Sequence, residues 1–62
     1  MMDAGAALVE LETRFGVPCW WGTYTWAYWA MVPARGRWRL VEALTLRELA
    51  VAIQASDGWP WP

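Results

Sequence analysis

Side chains able to do covalent or acid–base chemistry are scarce in this sequence. It holds one cysteine, Cys19, and neither histidine nor lysine. A thiol attacks only as a thiolate, which needs a base or a positive neighbour. Cys19 stands between Pro18 and Trp20, with neither, and reads as a buried, inert thiol. The usual zinc centres need several Cys or His ligands, so no metal or other cofactor is expected. General acid–base catalysis needs a tunable group within reach of a substrate, and the carboxylates here fall on helix surfaces. No phosphate-cradling glycine loop, paired-carboxylate motif or nucleophile elbow is present. The expectation is a protein that is not an enzyme.

Indole, by contrast, is plentiful: seven tryptophans in 62 residues. Trp20, Trp21, Trp26 and Trp29 are candidate anchors of an interface, because large aromatic side chains dominate interface energetics. The one concentration of positive charge is Arg35-Gly36-Arg37-Trp38-Arg39, which gives the centre of the chain +3 between flanks of −2 each, for a net −1. Arg35, Arg37, Trp38 and Arg39 form an alternative site, for single-stranded nucleic acid, with guanidinium groups on phosphates and an indole on a base. Three charges are a small electrostatic footprint for that role. A solvated hairpin whose arginines face Glu42, Glu48 or the first helix is the simpler reading.

The elements that must position these residues can be read from periodicity. Ala4, Ala7, Leu8, Leu11 and Phe15 recur at three- and four-residue spacings, which predicts an amphipathic helix over Asp3–Phe15. Asp3 is its expected cap, and Gly16 with Pro18 its stop. Thr45-Leu46-Arg47-Glu48 matches the capping box, with Leu44 and Leu49 at the staple positions. It opens a second helix over Leu46–Ala55, whose stripe is Leu46, Leu49, Ala50 and Ile53. Between them, Val17 to Val41 is rich in Trp, Tyr, Thr and Val, residues that suit a pleated surface. Strands are expected over Pro18–Trp21, Thr25–Val32 and Trp38–Glu42, with turns at Gly22-Thr23 and Pro33-Ala34-Arg35-Gly36. Short connections favour antiparallel neighbours. The predicted fold is therefore α+β, ordered α-β-β-β-α: a three-stranded antiparallel meander with two helices on one face. Double-stranded-RNA-binding domains and some small toxins share that order, which by itself carries no function.

Alternation along the second strand puts Tyr24, Trp26, Tyr28, Ala30 and Val32 on one side and Thr25, Ala27, Trp29 and Met31 on the other, so both sides are largely apolar. Two helices can cover one face of a meander, and the other needs a cover of its own. The expected covers are a second copy in a symmetric dimer, the Trp-Pro tail, or another protein. Chain length sharpens the need, since for about 60 residues apolar burial and the entropy of ordering nearly cancel. Residues 1–57 are expected to form a single domain. Residues 58–62, Gly58-Trp59-Pro60-Trp61-Pro62, make an extended, polyproline-like tail that docks on it.

The start of the chain lacks the basic region of a secretory signal, and the single cysteine excludes an intramolecular disulfide, so a cytoplasmic location is expected. Gly16 to Ala34 is free of charge. Pro18, Gly22, Thr23, Thr25 and Pro33 within it nevertheless argue against a membrane-spanning helix. The order Trp20-Trp21-Gly22, Trp29-Ala30, Leu40-Val41-Glu42-Ala43 and Thr45 through Leu49, from about Leu8 to Ile53, resembles small uncharacterised proteins of high-GC actinobacteria. Tyr28 departs from it where that pattern has a Trp or another large residue. The absence of Lys, Asn and His beside ten alanines also suits a GC-rich genome. The resemblance implies no activity. The reading is a small, tryptophan-rich, non-enzymatic bacterial interaction or accessory domain that binds its own copy or an unidentified protein through an aromatic sheet face. Nucleic acid is the alternative partner, and a membrane is the least favoured.

Overall fold

A computed structural model describes residues 4–61 of the chain, with only the backbone of Ala4. The order is α1 (Ala4–Phe15), β1 (Cys19–Gly22), β2 (Ala27–Ala34), β3 (Arg37–Ala43) and α2 (Leu46–Gln54). The strands form one antiparallel sheet in the order β1-β2-β3. Leu11 and Phe15 from α1 and Leu49 and Ile53 from α2 bury with Val17, Cys19, Ala30 and Val32 in a single core, so both helices lie on one face, as the sequence predicts.

The helices follow their apolar periods. In α1, Leu11 and Phe15 are buried and Leu8 is half-buried beside them. Gly16, which donates its N–H to the Glu12 carbonyl at 2.8 Å, ends it. The expected cap, Asp3, lies outside the described residues. In α2, Thr45 takes an extended conformation and its hydroxyl accepts from the Glu48 N–H at 3.1 Å, satisfying an amide that the first turn leaves without a partner. The expected staple does not close: Leu49 is fully buried while Leu44 is 74% exposed. The step from β3 into α2 turns the Leu44 side chain into solvent.

Both hairpins depart from the expected turns. The first spans Thr23–Trp26, and its Thr25 and Trp26 amides donate to the Gly22 carbonyl. Tyr24, Thr25 and Trp26 therefore do not take part in the strand alternation. Trp26 adopts a left-handed φ of 56°, which bulky residues rarely take. The second turn is shorter than expected, only Arg35-Gly36, both with positive φ (46° and 81°). That is the geometry a twisted two-residue hairpin demands, and glycine takes it without steric cost.

Pro33 and Ala34 thus belong to β2, paired with Trp38 and Arg37. A proline within a central strand normally deletes a ladder bond. Here the Met31 amide donates to the Pro18 carbonyl, just before β1 begins. The nitrogen two residues on points the same way, past the end of β1, so Pro33 removes nothing.

The tail packs on the helix side. Trp59 and Trp61 lie against the core. The Trp59 ring meets Phe15 edge-on at 5.0 Å, and Trp61 meets Trp59 likewise at 5.0 Å. The Trp61 indole N–H donates to the Phe15 carbonyl. Docking on the domain matches expectation. The extended polyproline form does not, because the two indoles fold against each other edge-on. These contacts also overturn the idea that the tail roofs the second sheet face.

Candidate functional site

Register assigns every strand residue to a face, since paired residues in an antiparallel sheet share a side and neighbours alternate. Ala30 and Val32, wholly buried, mark the helix face, so Cys19 and Trp21 of β1 and Arg37, Arg39, Val41 and Ala43 of β3 point that way too. The opposite face carries Trp20 and Gly22 from β1, Ala27, Trp29, Met31 and Pro33 from β2, and Trp38, Leu40 and Glu42 from β3. The helix and tail contacts that build the core lie on the other face, and the tail reaches this one only at its margin, where Gly58 lies against the Pro33 carbonyl past the end of β1. Trp20 is 38% exposed, Leu40 52% and Trp38 60%. Glu42 is its sole charged residue.

Gly22 shapes one end of this open face. A side chain there would lie 2.6 Å from the Trp29 indole nitrogen and 2.5 Å from the Thr25 hydroxyl oxygen. The missing Cβ lets the Trp29 indole lie back over the hairpin, where its N–H donates to that hydroxyl at 2.8 Å. Trp29 is thereby held half-buried and its one donor is satisfied, as a buried indole requires. Trp20 stands directly opposite it on β1. Together with Tyr24 and Leu40 the two indoles border a shallow depression of about 280 Å³.

The four tryptophans singled out in the sequence are therefore divided. Trp20 and Trp29 share the open face. Trp21 lies on the helix side beyond the reach of the helices, against Tyr28 at 4.7 Å and Trp26 at 6.2 Å. That second aromatic patch sits at the first hairpin, beside Tyr24, which is 98% exposed. Sequence reasoning put Met31 on the same side as Trp29 but did not single it out, missed Leu40, and gave Trp38 only to the arginine cluster. The signal was present in Arg35-Gly36: a two-residue turn there pairs 34 with 37 and so puts Trp38 and Leu40 on the side of Pro33 and Met31.

The alternative nucleic-acid residues are also divided. Arg35, Arg37 and Arg39 are exposed, but Arg37 and Arg39 extend from the helix side of β3 while Trp38 stands on the open side. Stacking on Trp38 and phosphate contacts from those two arginines would come from opposite faces of one strand. Cys19 is 7% exposed and its thiol donates weakly to the Val17 carbonyl at 3.6 Å. Burial, with the Glu12 charge adding to it, pushes the thiol pKa up from 9.0 to about 11, the opposite of what a nucleophile needs. Among the described residues no cluster of His, Cys, Asp and Glu could hold a metal ion, and no helix is long and apolar enough to cross a membrane.

No protein-family model matches the chain, and neither a curated protein nor a solved structure matches it.

Proposed function

We propose that this chain is a small, non-enzymatic interaction domain, acting in the cytoplasm, whose working surface is the open face of its sheet. One observation carries the reading. Trp20, Trp38 and Leu40 stand exposed on a face with a single charged residue, while the two helices and the tail are all engaged on the other side. Contiguous apolar surface of that kind marks a contact site on a small domain. Aromatic anchors with depleted charge are the usual composition of an interface core. The occupant is a second copy of the chain or another protein.

The test is a variant carrying Trp38→Ser and Leu40→Ser. Both side chains are solvent-facing on an edge strand, so thermal unfolding should move by no more than a few degrees. Binding of an apolar fluorescent dye by the folded protein should fall sharply. A variant that no longer folds would show that the face is structural, and unchanged dye binding would show that it is not the exposed apolar surface. Either result overturns the reading.

A further inference from the structure

β3 is an outer strand of the sheet, and its free edge has a defined set of backbone groups. The Arg35-Gly36 turn closes on the pair Ala34 and Arg37, which a two-residue hairpin makes a hydrogen-bonded pair. Such pairs alternate along an antiparallel ladder, so Arg37, Arg39, Val41 and Ala43 direct their backbone groups to β2. The Met31 amide, which turns to Pro18 on the β1 side, fits that assignment. Trp38, Leu40 and Glu42 therefore point their N–H and C=O groups outward, where no backbone or side-chain partner meets them among the described residues. The opposite edge offers less, since β1 is four residues long.

Charge follows the same strand. Arg37 and Arg39 extend on its helix side, Arg35 stands in the adjoining turn, and all three are exposed. None forms an ion pair among the described residues. With Trp38, Leu40 and Asp57 they line a hollow of about 520 Å³ in which Asp57 is the one acidic group.

We infer that this edge takes an extended peptide of a partner protein as a fourth strand, acidic at alternate positions and apolar between them. The inference goes beyond the open-face reading and rests on it only for the apolar positions. In antiparallel addition, the peptide residues opposite Trp38, Leu40 and Glu42 exchange main-chain bonds with them, and the alternating side chains supply selectivity. Residues opposite Arg37 and Arg39 are acidic, those opposite Trp38 and Leu40 apolar, and the one opposite Glu42 basic. From its amino end such a peptide reads Lys-Thr-Val-Glu-Val-Glu, with Thr opposite Val41. Charges on an edge strand guard it against indiscriminate pairing; here they admit a strand whose carboxylates answer them.

The experiment is titration of the isotope-labelled chain with that peptide, followed by backbone amide shifts in NMR spectra, alongside two forms methylated at a single backbone nitrogen. The Trp38, Leu40 and Glu42 amides should move most. Methylation of the Val opposite Leu40 removes an N–H that faces β3 and should weaken binding about tenfold, whereas methylation of the Glu opposite Arg39, whose N–H faces away, should change it by less than about twofold. A chain carrying Arg37→Glu and Arg39→Glu should bind this peptide about tenfold more weakly and prefer the form with Lys in place of both Glu.

No binding at millimolar peptide, equal loss for the two methylated forms, or an unaltered preference in the charge-reversed chain overturns the inference. So do Trp38, Leu40 and Glu42 amides that shift on dilution of the free chain, which would make a second copy the occupant. The two readings fail separately. An absent peptide complex, with dye binding still lost on Trp38→Ser and Leu40→Ser, indicts the edge alone; unchanged dye binding beside an intact methylation contrast indicts the open face and upholds the edge.

Discussion

Both faces of the sheet are apolar, but they differ in side-chain size. Where the helices sit, the strands offer Cys19, Ala30, Val32, Val41 and Ala43, and the larger Tyr28 stands at the margin against Trp21. The opposite face offers Trp20, Trp29, Met31, Trp38 and Leu40. Small and branched side chains let a helix approach and fill the space at close-packed density, whereas a row of indoles holds a helix off. Hydropathy alone made the two faces look equivalent. Volume separates the two faces at the middle of the sheet, where Ala30 and Val32 lie under the helices and Trp29 and Met31 do not.

The sharpest break of this comparison is a matched pair of truncations. Leu49→Ala removes a fully buried side chain and should lower the free energy of unfolding in urea by about 2–5 kcal/mol. Leu40→Ala, on the other face, should change it by less than about 0.5 kcal/mol. Equal losses would mean that the faces are energetically alike.

Size can be tested directly. Ala30→Leu pushes a larger side chain under the helices and should cost about 1–3 kcal/mol, while Met31→Leu beside it should be close to neutral in the same denaturation assay. Thr45→Ala, which removes the hydroxyl that accepts from the Glu48 amide, should cost about 1 kcal/mol by the same measure. It leaves the open face intact, so apolar dye binding there should persist.

The smallest effect concerns Cys19. Its folded pKa of about 11 lies above the ordinary 9.0, so the native state holds the proton more tightly than the unfolded chain. The associated stability is full below about pH 9 and is lost as pH rises toward about 11. Thiol-reagent kinetics at pH 8 should show reaction only through unfolding, so a fast, denaturant-independent rate would place Cys19 at the surface.

Much of this was legible in the residues. The order of elements, the Thr45 cap and the core stripe of α2 rest on local signals with a mechanism, and the docking of the Trp-Pro segment on the cost of leaving two indoles in water. The first turn was not legible, because Thr25 and Trp26 have strand-favouring side chains and nothing in a tryptophan announces a left-handed φ. Ending the alternation at Ala27 removed Trp26 from a sheet face altogether. Pro33 misled in the other direction: it reads as a strand breaker, and only the early end of β1 lets it sit in β2 without loss. Those two errors account for Trp26 and Trp38, whereas Trp21 was separable from Trp20 by alternation alone, since consecutive strand residues point to opposite faces.

The central claim, that the aromatic face and not the helix face is the contact surface, is tested most directly by following the seven indole N–H signals in a proton–nitrogen NMR spectrum as the concentration of an added apolar dye is raised. The account predicts that the Trp20 and Trp38 signals move with concentration while those of Trp59 and Trp61, packed on the core, stay still. Movement confined to Trp59 and Trp61, or none in any indole across the range, would contradict it.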